Sequence, residues 1–261
     1  MSKKIEVRLT FFCVNENLKN KKQTYNITLI IPCYNEEKRL LFSEFDLFIR
    51  KGVRLIFVDD GSTDKTLKKI RAYSSAKNRI YVVSLAQNAG KAAAVRAGIL
   101  YALKKFPKTD WYGFWDADFS APPSQLSFLL KCAAQGDNKA VAIWGSRFRS
   151  FGSDIKRSFL RHFLGRLFAA VIKTFLNVCF YDTQCGAKLF KKSIIKKAFR
   201  EPFITDWIFD VEIYLRIIPN KIQECPLQKW HSKRSSKINF FRLLFSLPKQ
   251  IFFLKKKYLT K

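Results

Sequence analysis

Residues 53–66 of the chain are VRLIFVDDGSTDKT, an apolar run followed by two aspartates and a glycine. The run over 53–58 predicts a strand buried on both faces, because its apolar side chains are nearly continuous rather than alternating. The Asp-Asp-Gly turn at 59–61 ends the strand, and the serine or threonine that follows can cap a helix over 64–76. This stretch therefore predicts one strand–turn–helix unit of an α/β protein.

The same alternation of strand and helix extends on both sides of that unit. Further strands are predicted at 27–31, 79–84, 111–115 and 140–144, and further helices at 36–50, 90–105 and from the Pro122-Pro123 pair to about 134. Strands that alternate with helices pair in parallel through right-handed crossovers. The sequence thus predicts an α/β fold with a mostly parallel sheet flanked by helices, and such sheets bind ligands at the carboxyl ends of their strands.

Polar clusters follow three of the predicted strands. They are Tyr34-Asn35-Glu36, Asp59-Asp60-Gly61 and Asp116-Ala117-Asp118. Asp116 and Asp118 can hold Mg²⁺ or Mn²⁺ while the ion grips a diphosphate, although two carboxylates on a loop are more often only solvated. Asp60 can accept a hydrogen bond from a base or a ribose, or serve only as a helix cap.

The composition indicates an anionic partner. The chain has 261 residues with 49 Lys+Arg against 20 Asp+Glu, a formal net charge of +29, and no acidic residue follows Glu224. This charge favours nucleic acid, a phosphorylated substrate or an anionic membrane surface as the partner. A hydrophobic content of 48% excludes a disordered polycation, and the presence of only two histidines excludes a His-rich metal site.

The C-terminal part departs from the strand–helix alternation. Residues 155–180 predict a long helix with an apolar and a basic face, which suits either a membrane surface or a core or dimer contact. Residues 202–217 predict another helix, and 238–258 alternate Phe and Leu clusters with Lys and Arg, as basic amphipathic segments at membranes do. The chain accordingly divides into an N-terminal extension over 1–25, one domain over 26–237 and a membrane-interface segment over 238–261.

Sequence signals for secretion or membrane spanning are lacking. The N-terminus has no apolar run with a small-residue cleavage site, and no stretch approaches the roughly 20 apolar residues that span a bilayer. We therefore expect a cytoplasmic protein that is peripheral on the cytoplasmic face of a membrane. The six cysteines show no zinc-binding spacing, which predicts reduced and mostly buried thiols.

Eight segments of the chain occur in a distinctive order. The first five are IPCYNEE (31–37), VDDGSTDKT (58–66), NAGKAAAVRAG (88–98), DAD (116–118) and GSRF (145–148). The last three are DTQCGAKLF (182–190), WIFDVE (207–212) and the segment from Trp230 to Ile238. The first five resemble motifs of the GT-A-fold, family-2 inverting glycosyltransferases, and the last three are similar to segments of the dolichyl-phosphate β-glucosyltransferases. The resemblance implies a GT-A (Rossmann-like) catalytic domain over 26–237, followed by basic amphipathic C-terminal helices.

The resemblance also implies roles for individual residues on the donor and acceptor sides. On the donor side, the nucleotide pocket would be lined by Pro32, Tyr34, Glu36 and Asp60, with Asp60 on the base. The metal would be bound by Asp116 and Asp118, with Asp118 as the more direct ligand. Lys91 would lie near the phosphates and Gln184 would face the sugar. On the acceptor side, Arg147 and Arg157 would clamp a phosphate, and Asp210 would be the acceptor-side carboxylate.

The implied reaction is the inverting transfer of a hexose, with glucose from UDP-glucose favoured, to a polyprenyl or dolichyl phosphate. A phosphate nucleophile is already ionised at neutral pH, so it requires positioning by arginine more than deprotonation, and Asp210 can be a base or an orienting group. Another donor (GDP-mannose or UDP-N-acetylglucosamine), a hydroxyl acceptor in surface polysaccharide synthesis and a homo-oligomer stay open. A nucleic-acid-binding protein is disfavoured, because the aromatic residues fall in apolar runs and no RNA-binding signature occurs.

Overall fold

A computed structural model of the chain describes residues 25–135, 140–156, 158–218, 221–232 and 240–260. The predicted N-terminal extension over 1–25 lies outside these residues except for Tyr25. Arg157, which the sequence assigns to the acceptor phosphate, also lies outside the described residues.

Nine strands and eight helices occur within the described part of the chain. The strands are β1 (Ile27–Cys33), β2 (Arg54–Asp59), β3 (Ile80–Ser84), β4 (Trp111–Trp115), β5 (Ala142–Ser146), β6 (Asp154–Lys156), β7 (Ala187–Lys191), β8 (Ile222–Pro226) and β9 (Lys229–His231). The helices are α1 (Phe42–Arg50), α2 (Thr66–Ser75), α3 (Lys91–Lys105), α4 (Ser124–Gln135), α5 (Phe159–Leu176), α6 (Lys192–Phe199), α7 (Phe209–Ile217) and α8 (Phe240–Tyr258).

Seven strands form one sheet in the order β3-β2-β1-β4-β7-β5-β8. Its neighbouring strands are parallel except at β7, which runs antiparallel to both β4 and β5. A separate pair of short parallel strands joins β6 to β9. The predicted mostly parallel α/β sheet is therefore confirmed.

Both faces of the central strands are buried, as their nearly continuous apolar sequences predict. On one face, Leu29 and Phe57 pack with Phe45 of α1 in one apolar cluster. On the other face, Ile30 and Val58 pack against α3, where Gly98 leaves no room for a Cβ because that atom would lie 2.4 Å from Ile30. Helices therefore cover both faces of the sheet and leave the carboxyl ends of its strands uncovered.

The elements of the C-terminal part differ from the sequence predictions. Strand β6 occupies 154–156, so α5 begins at Phe159 rather than near 155, and the helix predicted over 202–217 is confined to Phe209–Ile217. Strand β7 and helix α6 were not predicted. The sequence of β7, AKLFK, carries a lysine in its interior, which hides the apolar run of a buried strand.

The last helix, α8, packs against α5 and α7. Ile251 and Leu254 are buried in this packing, whereas Phe252 and Phe253 are 62% and 41% exposed. The helix thus presents one apolar face to the domain and further phenylalanines to the outside. Within the described residues, no helix is both long enough and apolar enough to cross a membrane.

Two cysteines differ from the expectation of reduced thiols. Cys132 of α4 and Cys225 of β8 form a disulfide, because α4 packs on β8 and brings the two side chains together. The prediction is therefore wrong for this pair. Cys33 and Cys185 are free and buried, as expected, and Cys179 is free and half-buried.

Candidate active site at the strand ends

The loops that follow β1 and β2 are joined into one rim at the carboxyl edge of the sheet. Asn35 Oδ1 accepts a hydrogen bond from the backbone N–H of Thr63 at 2.8 Å, and the N–H of Glu36 donates to Thr66 Oγ1 at 2.7 Å. The Glu36 carboxylate forms an ion pair with Arg39. Pro32 lies near the end of β1 and Tyr34 directly follows it, so these predicted nucleotide-pocket residues share this edge.

Asp60 binds the loop that leads into α3. Its Oδ1 accepts from the N–H of Ala89 at 2.8 Å and its Oδ2 from the N–H of Gly90 at 2.9 Å. Burial raises the pKa of Asp60, although these two hydrogen bonds act against the rise. The Asp60 carboxylate therefore organises the turn that places Lys91 at the first position of α3.

Lys91 and Asp116 form an ion pair at the centre of this edge. Lys91 Nζ lies 2.6 Å from Asp116 Oδ1, and the two side chains are 39% and 37% exposed. Burial lowers the pKa of Lys91, but the carboxylates of Asp116 and Asp210 outweigh it and raise that pKa above its ordinary value. Burial raises the pKa of Asp116, but Lys91 and Lys188 outweigh it and hold that pKa below its usual range. Asp116 is therefore ionised at neutral pH.

Gly186 makes room for the Asp116 carboxylate. The N–H of Asp116 donates to the Gly186 carbonyl at 3.1 Å, and a Cβ built on Gly186 would lie 1.9 Å from Asp116 Oδ2. No side chain can occupy that position while Asp116 keeps its place. The sequence identified the Asp-Thr-Gln-Cys-Gly segment as a motif, but it gave no reason for the glycine.

Asp118 faces its own loop. Its Oδ1 accepts from the N–H of Ser120 at 2.9 Å and its Oδ2 from Ser120 Oγ at 3.0 Å. In the part of the chain that the structure describes, no three His, Cys, Asp or Glu residues cluster as a metal site. The predicted pair Asp116 and Asp118 still offers oxygen ligands of the kind that Mg²⁺ and Mn²⁺ prefer, provided that a diphosphate and water complete the coordination.

Arg147 lies at the end of β5 with its side chain fixed by Asp182. Its Nε and Nη2 donate to the two carboxylate oxygens of Asp182 at 2.5 and 2.6 Å, and its guanidinium stacks 5.3 Å from the Trp230 ring centre. Burial lowers the pKa of Arg147, but Asp182 outweighs it and raises that pKa further above its ordinary value. The bonds to Asp182 use the N–H of Nε and one N–H of Nη2, so both N–H groups of Nη1 and the second of Nη2 are left for a ligand.

Glu224 of β8 supports the segment that carries Asp182, and the sequence did not reveal this role. Its carboxylate oxygens accept from the N–H groups of Tyr181 and Asp182 at 2.9 and 2.8 Å. Gln184 follows on the same segment, with its N–H donating to Asp182 Oδ1 at 3.0 Å. Its side-chain Nε2 is buried and has no hydrogen-bond partner among the described residues.

Asp210, in the first turn of α7, forms an ion pair with Lys188 of β7. Lys188 Nζ lies 2.8 Å from Asp210 Oδ1, and the side chains are 0% and 4% exposed. Burial raises the pKa of Asp210, although Lys188 and Lys91 oppose the rise. Lys188 is a second residue that sequence reasoning missed, and the available signal was a lysine inside an otherwise apolar run.

Comparison with known proteins gives the same picture along most of the chain. The family described as Glycosyl transferase family 2 matches residues 28–199. The dolichyl-phosphate β-glucosyltransferase of Saccharomyces cerevisiae is 34% identical over 237 residues, which cover 81% of this chain and 69% of that protein. The protein of that name from Dictyostelium discoideum is 31% identical over 259 residues, which cover 92% and 77%.

Solved structures show a similar fold. Glucosyl-3-phosphoglycerate synthase from Mycobacterium tuberculosis, in complex with Mn²⁺ and UDP-glucose, superposes with a TM-score of 0.63 at 18% identity and covers 90% of this chain and 79% of that chain. The same enzyme with Mn²⁺, UDP and glucosyl-3-phosphoglycerate gives a TM-score of 0.62 and covers 88% and 78%. At this identity the likeness concerns the fold, and it confirms the predicted GT-A architecture.

Proposed function

The chain belongs to glycosyl transferase family 2, as its motifs predict, and we propose that it transfers glucose from UDP-glucose to a polyprenyl phosphate of the dolichyl type. The observation that carries this proposal is the match, over 81% of the chain, to a dolichyl-phosphate β-glucosyltransferase. The geometry of the strand ends supports it, because anion-binding and cation-binding groups lie side by side there.

The donor half of the proposed site consists of Lys91, Asp116 and Asp118. The two carboxylates would hold a divalent cation, Mg²⁺ or Mn²⁺, whose charge stabilises a departing diphosphate. Lys91 is placed to contact a phosphate oxygen when its pairing with Asp116 is exchanged for a ligand. Gln184 offers its side-chain amide to the sugar.

The acceptor half is built around Arg147. A lipid phosphate is ionised before it binds, so the protein's task is to orient one oxygen towards the sugar and to balance its charge. Asp182 fixes the guanidinium and leaves Nη1 for that phosphate. Asp210 is buried and paired with Lys188, which suits an orienting role better than proton transfer with solvent.

Helix α5 offers a surface through which the enzyme could reach its lipid. Phe159, Phe163 and Leu167 follow one another at four-residue intervals on one face and are 83%, 57% and 54% exposed. Arg166 donates to the Tyr181 carbonyl at 2.8 Å, directly before the residue that holds Arg147. The exposed stripe therefore adjoins the acceptor side of the site.

We propose that this stripe and the exposed face of α8 bind an anionic membrane peripherally, on the cytoplasmic face. Both helices end with basic residues, Lys173 in α5 and Lys255, Lys256 and Lys257 in α8. Apolar side chains flanked by lysines suit the boundary between acyl chains and anionic headgroups.

A lipid-extraction assay tests the proposed function. Purified protein is incubated with polyprenyl phosphate, Mg²⁺ or Mn²⁺ and labelled UDP-glucose, GDP-mannose or UDP-N-acetylglucosamine, and radioactivity in the organic phase is measured. We expect transfer from UDP-glucose above the other donors. Absence of labelled lipid with every donor would overturn the proposal, and preference for another donor would reassign the sugar.

A further inference from the structure

Lys188 is a fully buried lysine in the middle of the central sheet. It belongs to β7, the one strand of the sheet that runs against its neighbours, and its side chain is 0% exposed. Lysine is almost never fully buried unless its charge is paired, because removing an ammonium group from water is costly. The proposed chemistry does not use this group, so its presence requires another explanation.

The ammonium group contacts three oxygens. It donates to the carbonyls of Thr183 and Cys185 at 2.9 and 2.6 Å and lies 2.8 Å from Asp210 Oδ1. The rings of Phe114 and Trp144 lie on either side, with centres 5.3 and 5.0 Å from Nζ. The ammonium therefore donates two hydrogen bonds to backbone carbonyls, and its third contact is the ion pair with the Asp210 carboxylate.

The two carbonyls flank Gln184, so the ammonium closes the loop that presents this side chain. One end of the same loop carries Asp182, which fixes Arg147. The other end carries Gly186, against which Asp116 rests. One buried charge thus holds the segment that connects the donor and acceptor halves of the site.

We propose that Lys188 is a positioning residue that sets the loop around Gln184 for the sugar of the donor, while Asp210 holds Lys188 in place from α7. This inference rests on the proposed function, because the loop has a donor sugar to face only in a sugar transferase. The inference predicts different effects on the sugar and on the nucleotide. The loop around Gln184 directly precedes β7, whereas the predicted nucleotide pocket lies on the loops after β1 and β2.

The test compares binding of UDP and of UDP-glucose by calorimetry in wild type and Lys188→Met. Methionine keeps the length of the side chain and removes its charge. We expect the ratio of the UDP-glucose to the UDP dissociation constant to rise about tenfold and kcat to fall about 100-fold, since a misplacement of about 1 Å has effects of that size. The dissociation constant for UDP itself should stay within about twofold of wild type, a change of less than about 0.5 kcal/mol, because the predicted nucleotide pocket lies on the loops after β1 and β2.

Two further variants keep the inference falsifiable. Lys188→Met leaves Asp210 buried without its partner, so the double variant Lys188→Met/Asp210→Asn, which buries no lone charge, is measured for the same ratio if the single variant fails to fold. Lys191→Met is the matched control, because Lys191 lies on the same strand beside Trp111 at the amino end of β4. The control should keep the wild-type ratio and kcat.

The outcomes separate this inference from the proposed function. A wild-type protein that binds no nucleotide sugar would overturn both. Active wild type combined with an unchanged ratio in the Lys188 variants, or with equal loss of UDP and UDP-glucose binding, would overturn the positioning role alone, because a purely structural lysine affects both ligands equally.

Discussion

Arg147 donates from Nε and Nη2 to both carboxylate oxygens of Asp182, at 2.5 and 2.6 Å. This two-point contact holds the guanidinium in a single orientation before any ligand binds. A lysine in the same place could contact Asp182 or a phosphate, but its single ammonium could not hold the planar geometry that serves both.

Arg147→Lys should therefore weaken use of the lipid acceptor. We expect KM for polyprenyl phosphate to rise by about tenfold or more, because a charge-assisted hydrogen bond of roughly 1.5–3 kcal/mol is lost. KM for UDP-glucose should change little. Initial rates with each substrate varied in turn measure both values. Arg71→Lys, on the exposed face of α2, is the control, and an equal rise in both KM values would remove Arg147 from the acceptor side.

Gly186→Ala should displace the Asp116 carboxylate, since the new Cβ would lie 1.9 Å from Oδ2. All three of the nearest atoms belong to the Asp116 side chain, so the change affects the site more than the backbone. We expect kcat/KM to fall by about 100-fold, the effect of a misplacement of about 1 Å, with thermal unfolding close to wild type.

Gly52→Ala is the control for this substitution. Gly52 has a φ of 77° but nothing within 4 Å of its Cβ position, so alanine there should cost about 1 kcal/mol of stability and leave activity unchanged. Wild-type turnover in Gly186→Ala would show that the close approach to Asp116 is unimportant for catalysis.

Asp118→Ala should abolish turnover while the fold survives. Among the described residues, the Asp118 side chain accepts hydrogen bonds from Ser120 alone, so little is lost from the fold when it is removed. If the carboxylate holds a divalent cation, its loss should lower kcat by at least about 100-fold, equivalent to roughly 2.7 kcal/mol of transition-state stabilisation. Labelled transfer is measured across a Mg²⁺ and Mn²⁺ titration. Ser120→Ala keeps the carboxylate and should keep most activity, and full activity in Asp118→Ala would refute the metal role.

The stability of the chain should depend on the ionisation of Glu224. Burial raises the pKa of Glu224 above its ordinary value of 4.5, although the N–H groups of Tyr181 and Asp182 oppose the rise. Between pH 4.5 and the raised pKa of the folded state, Glu224 holds a proton in the folded chain that it has released in the unfolded chain. The free energy of unfolding therefore falls as pH rises through that window. Above the raised pKa the two states are equally charged and the fall stops.

Glu224→Gln removes this titration. The difference in the free energy of unfolding, wild type minus variant, should decline as pH rises from 4.5 and then become constant. Urea unfolding followed by circular dichroism over a series of pH values gives this difference, in which other titrating groups cancel. A difference that rises with pH over this range would show that hydrogen bonding to the ionised carboxylate outweighs burial.

The sequence predicted most of the N-terminal half of the fold, because local patterns determine it, but the helix predicted over 36–50 is confined to Phe42–Arg50. The strand predicted at 111–115 is β4, and the helix predicted over 90–105 is α3 to within one residue. Strand β7 was missed because Lys188 breaks its apolar run, and the group that pairs with this lysine is Asp210, on helix α7. Spacing along the chain carries no information about such a partner.

Candidate site residues were found from motifs, but their contacts were not. Arg147 was identified, whereas its pairing with Asp182 joins residues 35 positions apart, and the support from Glu224 comes from a strand a further 42 positions along. These contacts exist because β5 lies between β7 and β8 in the sheet, an order that the alternation of strands and helices does not specify.

Substitutions on the two proposed membrane surfaces, made separately, measure how much each one contributes to membrane binding. Replacing Phe159, Phe163 and Leu167 of α5 together by serine should lower binding to vesicles containing anionic lipid by tenfold or more, since burying each of these side chains contributes about 1.5–3 kcal/mol at most. The Phe252→Ser/Phe253→Ser pair tests α8 in the same sedimentation assay. Leu47→Ser, 40% exposed on α1, is the control and should bind as wild type does.

We expect the α5 variant to lose both vesicle binding and transfer to lipid while UDP-glucose binding persists, because its stripe adjoins the segment that holds Arg147. Loss confined to the α8 pair would assign the membrane contact to the C-terminal helix, and wild-type binding by both variants would contradict a peripheral membrane surface on either helix.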